Sequence, residues 1–215
     1  MCGICGLFLS EASESLIGST HEMANALHHR GPDDVGVWAD PEAGVAMGHT
    51  RLSIIDLSSA GAQPMMSPCG RYVIAFNGEI YNHLTLRTDL ETIGVAPSWK
   101  GTSDTETLLA AATHWGLREA LQRANGMFAL ALWDRQAQQL HLARDRMGEK
   151  PLYLARLPEG WAFGSELKAL LAVPSFEARL CRDVVADYLS NGYVPDTQCI
   201  FQNARKVPPG HYLLK

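Results

Sequence analysis

The chain begins MCGICGLF, which places a thiol directly behind the initiator methionine. If Met1 is removed, Cys2 carries a free α-amine and a thiol on one residue. A thiolate is a strong nucleophile, but a free cysteine has a pKa of about 8.5 and needs activation. An α-amine, with a pKa of about 7.7–8.0, can take the thiol proton and later return it to a leaving amine. A threonine nucleophile served by its own N-terminal amine is the parallel arrangement. The plain alternative is a buried structural cysteine on a first strand. Three further places could complete a site. In FNGEIYNH, the Asn77 amide is a hydrogen-bond donor and Gly78 permits close approach to its backbone N–H, the two ingredients of an oxyanion hole. Taken alone, Asn-Gly reads first as a hairpin turn. In GHTRLSIID, Arg51 closes an apolar run and can pair with a carboxylate in bidentate fashion, or simply snorkel from a strand edge. Asp104 can receive an ammonium group, or serve as a plain helix cap.

These residues need elements to hold them. Ile4, Leu7 and Phe8 predict a short buried first strand, and the apolar spacing within 14–28 predicts a helix. RGPDD breaks that helix. Strands are predicted over 35–39, 45–52 and 71–77, with the loop SSAGAQPMMSPCG between the last two. A helix is predicted over 84–93. Another begins at Ser103 or Asp104, where Glu106 completes a capping-box spacing with Ser103. Hairpins are predicted from 127–133 with 139–143, and from 152–155 with 161–164. Helices over 166–172 and 182–191 and an extended tail, FQNARKVPPGHYLLK, follow. Short turns favour antiparallel pairing, so the expected class is α+β, with two packed sheets covered by helices.

Composition narrows the function. The 215 residues are 47% hydrophobic with a formal net charge of -5, and no Lys/Arg run occurs, which argues against a nucleic-acid partner. No apolar stretch approaches the ~20 residues that span a bilayer, and the N-terminus lacks a positively charged leader, so neither membrane nor secretory export is expected. The five cysteines are an odd number at irregular spacing, which suits a reducing cytoplasm. Cys2-Gly-Ile-Cys5 is formally a CxxC, but a zinc site wants a second pair and GICGLFL reads as a strand. No metal site is expected.

With these residues set out, the chain resembles the glutaminase domain of class II (N-terminal-nucleophile) glutamine amidotransferases, in the asparagine synthetase branch. The blocks MCGICG, HHRGPDD, GHTRLSIIDLS, GAQPM, FNGEIYNH, SDTETLL, NGMFALALWD, ARDRMGEKPLY and FGSELKAL carry the resemblance in order, through VPPGHYLLK. It implies a four-layer αββα sandwich of two mainly antiparallel sheets, of the Ntn-hydrolase type. It implies hydrolysis of L-glutamine, with Cys2 as nucleophile and Asn77 and the Gly78 N–H as oxyanion hole. Arg51 would bind the glutamine α-carboxylate, Asp104 with Glu79 the α-ammonium, and Leu52, Ser53, Ile54 and Ile55 would line the pocket.

The resemblance also bears on what lies beyond the site. Residues 1–173 are expected to form the glutaminase domain, and 174–215 its end and a connector toward a C-terminal synthetase domain acting in cis. That domain would use ATP and Mg to amidate aspartate; no cofactor is expected within this one, and neither its Ser-Gly-Gly loop nor a Walker-type loop occurs here. The stop at HYLLK favours a piece of a longer polypeptide over a standalone chain. Family members often pair, so a homodimer is one assembly the resemblance allows; the sequence does not set the oligomeric state. An amidotransferase with another acceptor, such as an aminosugar maker, and a non-catalytic glutamine-binding module are the alternatives. His28 and His29 are expected to position the Cys2 loop, and His49 to stand behind Arg51. Arg144-Asp145-Arg146 is read as a solvated or inter-domain charge run. Trp133, Phe128 and Phe163 are read as core.

Overall fold

Strand β1 (Gly3–Leu9) is apolar on both faces. It must therefore be covered on both, and the way it is covered sets the architecture. Even-numbered Ile4 and Phe8 join one hydrophobic cluster, whereas odd-numbered Cys5, Leu7 and Leu9 join another. The computed structural model, which describes every residue except Ala12, resolves this into four layers.

The first sheet has the order β10 (Ala204–Lys206), β8 (Tyr153–Leu157), β9 (Gly160–Gly164), β1, β3 (Val45–Arg51), β2 (Asp34–Asp40). The second has the order β11 (Tyr212–Leu214), β7 (Gln139–Arg144), β6 (Gly126–Asp134), β5 (Tyr72–Ile80), β4 (Met65–Met66). Every paired strand is antiparallel. Helices α1 (Leu16–Asn25) and α5 (Leu167–Leu171) cover the first sheet. Helices α2 (His83–Thr92), α3 (Asp104–Trp115) and α4 (Leu117–Arg123) lie on the side of the second. The α6 helix (Arg182–Asn191) follows.

Side-chain alternation along the strands distributes three clusters among these layers. On β5, Tyr72, Ile74, Phe76 and Ile80 face the helices, while Val73 and Ala75 face the first sheet. On β6, Phe128, Leu130 and Leu132 face out, while Ala129, Ala131 and Trp133 face in. On β3, Val45 and Met47 face in. Trp133, Phe163 and Phe128 are core residues, as the sequence predicts.

Most predicted elements are present with boundaries moved by one to three residues. Strand β5 runs on to Ile80, so Asn77 and Gly78 are not a turn but lie inside the strand, paired with Ala129 and Phe128. The continuous ladder to β6 overrides the local turn preference. The α4 helix is an addition; it starts after Gly116, whose φ of 80° ends α3. Ser103 caps α3 by accepting from Glu106 N at 3.2 Å. The Glu106 side chain does not return to Ser103, however; it accepts from Lys100 N and Gly101 N. The Arg144-Asp145-Arg146 run is a correction. Arg144 and Asp145 are buried, and only Arg146 is exposed. Arg144 donates to the carbonyls of Gly148, Lys150 and Val207, and Asp145 accepts from the N–H groups of Phe128, Met147, Glu149 and Lys150. Both charges organise the 145–150 loop, whose backbone groups have no strand to pair with.

Candidate active site

The same alternation that builds the inter-sheet core also builds the site. Continuing β1 backward from Ile4 by two puts Cys2 on the inward face. Continuing β3 forward from Met47 puts His49 and Arg51 there, and continuing β5 from Ala75 puts Asn77 and Glu79 there. One step beyond the Gly3–Thr50 pair, Cys2 and Arg51 stand side by side. At this end the core changes from apolar to polar, and a cavity of about 290 Å³ opens.

Every residue assigned to the site from the sequence lines this cavity: Cys2, Arg51, Leu52, Ser53, Ile54, Ile55, Asn77, Gly78, Glu79 and Asp104. Sequence reasoning missed Asp56, Gln63, Met127 and Lys150, which line it too. Met127 was recoverable, since it shares the parity of Ala129 and Ala131 on β6. Lys150 lies in an irregular loop and left no periodic signal.

Cys2 is half-buried, with its sulfur in a polar setting. Leu52 N donates to Cys2 Sγ at 3.4 Å, and Sγ lies 3.7 Å from Leu52 O. Behind it, Arg30 Nε donates to Cys2 O at 2.9 Å, and Arg30 Nη1 donates to Glu166 Oε1 at 2.8 Å. His29 meets the same Glu166 oxygen at 3.1 Å. Burial pushes the Glu166 carboxyl up, but hydrogen bonds from Arg30, His29 and Lys168 outweigh it and hold it at about 2. The positioning role expected of His28 and His29 thus falls mainly to Arg30, which touches Cys2 directly; His29 reaches only Glu166.

At the cavity, two donors of the facing sheet are unspent; Trp133 Nε1 of the same sheet also lacks a partner but does not line the cavity. Asn77 is buried, and among the described residues its Nδ2 has no hydrogen-bond partner. An orphaned buried amide costs roughly 1–3 kcal/mol, so it marks a place where a ligand atom belongs. The second donor follows from strand geometry. Backbone N–H groups two residues apart point to the same edge. Phe76 N donates to Gln63 Oε1 at 2.6 Å, and Ile80 N donates to Asp104 Oδ2 at 2.8 Å, both on the edge away from β6. The Gly78 N–H lies between them on that edge, where the neighbour is the cavity. Gly78 itself is required by packing, since a Cβ there would collide with Met127 O and Phe128 of β6.

The charged residues are held by loops and by a helix start. Arg51 is buried, and its guanidinium donates to Ser58 O at 3.0 Å and to Asp56 O. Two of its five N–H groups are thereby used, leaving others for an anion. Asp104 sits in the first turn of α3. Burial pushes its carboxyl up, and the Ile80 N–H opposes this. A cation entering the cavity would favour the ionised carboxylate and so offset the effect of burial. His49 does not contact Arg51 by hydrogen bond. Its Nε2 donates instead across the sheets to Phe76 O at 3.1 Å, and burial lowers its pKa to about 4, so it is neutral at pH 7. Cys5, at odd parity, faces α1 rather than the cavity, and burial raises its thiol to about 12. The CxxC therefore does not bring its two sulfurs to one site.

Comparison with known proteins gives the chain's family and fold. The family described as "glutamine amidotransferase domain" matches residues 1–215. Asparagine synthetase [glutamine-hydrolyzing] 3 of Bacillus subtilis (strain 168) is 36% identical over 220 residues, covering 99% of this chain and 34% of the relative. A putative asparagine synthetase [glutamine-hydrolyzing] of Mycobacterium tuberculosis (strain ATCC 25618 / H37Rv) is 37% identical over 218 residues, covering 97% of this chain and 32% of the relative. The chain thus spans about a third of the length of these curated relatives. Among solved structures, that of the allosteric regulatory enzyme of purine biosynthesis superposes with a TM-score of 0.72 at 19% identity, over 99% of this chain and 46% of the other, which speaks for the fold. Among the described residues, no helix is long and apolar enough to cross a membrane.

Proposed function

The chain belongs to the glutamine amidotransferase domain family, and from that premise we propose that it hydrolyses L-glutamine to glutamate and ammonia through a thioester on Cys2. The observation that carries this is the pair of unspent donors, Asn77 Nδ2 and the Gly78 N–H, on the cavity that Cys2 enters from the opposite sheet. A tetrahedral oxyanion is the group that such donors fit.

After removal of Met1, the Cys2 α-amine accepts the thiol proton. The thiolate attacks the side-chain carboxamide carbon, and the carbonyl oxygen becomes an oxyanion between Asn77 and Gly78. Collapse breaks the C–N bond, and the protonated amine delivers its proton to the nitrogen, which leaves as ammonia. A γ-glutamyl thioester remains. The same amine then takes a proton from water, which attacks the thioester carbon, and collapse frees glutamate and the thiol. The amino-acid head group lies with its α-carboxylate on Arg51 and its α-ammonium on Asp104 and Glu79. The raised pKa of empty Asp104 suits this, because an incoming ammonium offsets the cost of a buried carboxylate.

In the whole protein the ammonia feeds an ATP- and Mg-dependent amidation in a part lying beyond this domain, with aspartate as the proposed acceptor; relatives named asparagine synthetase [glutamine-hydrolyzing] support this reading. Strands β10 and β11, within residues 174–215, add to the edges of the two sheets. The experiment that tests the domain's own chemistry is glutamine-dependent ammonia release beside a Cys2→Ala control. Release that is equal in both proteins would overturn it.

A further inference from the structure

Arg51 and Asp104 reach the cavity from different elements, so something must fix the distance between them. Arg51 leads into the 52–61 loop, and the N-terminus of α3 is preceded by the 100–103 loop. Asp56 joins the two. Its Oδ1 accepts from Ser58 N at 2.8 Å and from Ser58 Oγ at 2.6 Å, within its own loop. Its Oδ2 accepts from Thr102 N at 2.8 Å, across the gap. Its backbone carbonyl accepts from the Arg51 guanidinium. The far side of the join is itself anchored. Lys100 N and Gly101 N donate to Glu106 on α3, and Arg87 donates to Ser103 O. Glycines leave room for the join. A Cβ at Gly101 would collide with Asp56 Oδ2, and one at Gly61 with the Arg51 guanidinium. Asp56 is buried, and hydrogen bonds led by the Ser58 hydroxyl and the Thr102 N–H hold its carboxyl at about 2, so it is charged throughout the neutral range.

We propose that Asp56 is a positioning residue that sets the spacing between the carboxylate-binding and ammonium-binding ends of the pocket, and so its selection of α-amino acids. Its carboxylate bonds are to the two loops, Oδ1 to Ser58 and Oδ2 to Thr102 N, which is why the role assigned to it is positioning. The inference rests on the glutaminase proposal above.

The test is steady-state glutamine hydrolysis by the wild type and by Asp56→Asn, with Cys2 alkylation by iodoacetamide measured alongside. The asparagine keeps an acceptor for Ser58 but presents N–H groups toward the Thr102 N–H. Loss of a charge-assisted bond of this kind should raise KM for glutamine roughly ten- to hundredfold, with kcat near the wild-type value. Iodoacetamide has no α-amino-acid head group, so its rate of reaction with Cys2 should not change. Gly101→Ala, which displaces Asp56 from the other side, should reproduce the rise in KM. Ser58→Ala, which removes an exposed hydroxyl, should give a smaller rise and remains readable if Asp56→Asn does not fold. An unchanged KM in these variants overturns the proposal. So does a fall in kcat matched by a fall in iodoacetamide reactivity, which would mean general damage. A wild type that releases no ammonia overturns the glutaminase proposal and this one with it, whereas an active wild type with unaltered variants overturns this one alone.

Discussion

The two ends of the cavity are built on opposite principles. At the reactive end, Asn77 and Gly78 lie inside the β5–β6 ladder, and Cys2 stands one residue before β1, next to the Gly3–Thr50 pair; Cys2 and Asn77 continue the inward parity of the core. There the polar atoms are left unspent: Asn77 Nδ2 has no partner, and the Gly78 N–H faces the cavity. At the head-group end, Arg51, Asp56 and Asp104 lie where strand gives way to loop and where a helix begins, and each is already hydrogen-bonded to backbone. Unspent donors in a rigid frame gain most when charge develops on the substrate, which favours rate. Charges held by loops recognise what is present before and after reaction, which favours binding. Substitutions at the first end should therefore move kcat, and those at the second KM.

The sharpest break is Cys2→Ala. Ammonia release should fall on the order of 10⁵–10⁶, the scale seen when a nucleophile is removed. Asn77→Ala should lower kcat by about 10²–10³ with little change in KM. Its thermal midpoint should hold, because the Nδ2 it removes makes no bond in the protein. An unchanged kcat would exclude Asn77 from the oxyanion hole. Asp104→Asn should raise KM for glutamine roughly ten- to hundredfold and leave kcat nearly intact. The sign for stability is opposite. Because burial raises the folded-state pKa of Asp104, the ionised carboxylate is destabilising, and the variant should be no less stable than wild type at neutral pH. The raised pKa also means that KM for the wild type should climb on acidification at a pH above the ordinary aspartate range.

The smallest effect on catalysis, and one on stability alone, concerns His49 between the two ends. Its pKa falls from 6.5 to about 4 on folding, so the unfolded chain binds the extra proton between those values. Stability contributed by neutral His49 is present above pH 6.5 and is lost as the pH drops toward 4, in total roughly 3 kcal/mol. His49→Gln should flatten that part of a denaturation-versus-pH curve. The slope below it comes from depressed carboxyls, among them Asp56 and Glu166, whose losses move lower, toward about 2, and Asp134, which burial pushes up but Arg71 holds below its ordinary value.

The reactive end was more legible in the sequence than the head-group end, for a physical reason. Strands report which face a residue occupies through a period of two, so Cys2 and Asn77 could be placed once β1 and β5 were assigned. Where local signals failed, longer-range pairing had won. Asn77-Gly78 carries the strongest short turn signal, yet it lies within β5 because β6 supplies a partner for every residue from Tyr72 to Ile80. Arg144 and Asp145 read as surface charge but are buried hubs, because the 145–150 loop needs side-chain donors and acceptors for its own backbone. Asp56, Gln63 and Lys150 sit on irregular segments. No periodicity announces them, and their roles depend on contacts with residues up to 46 positions away, as between Asp56 and Thr102.

The claim on which everything else depends is that the sulfur and the α-amine of Cys2 act together, and the position of Met1 tests it most directly. Ammonia release from L-glutamine should be compared between protein whose intact mass shows Met1 removed and protein that retains it. Hydrolysis by the Met1-free form alone is the predicted result. Equal rates in the two forms would contradict the mechanism, because a methionine-blocked cysteine has no terminal amine to move the proton.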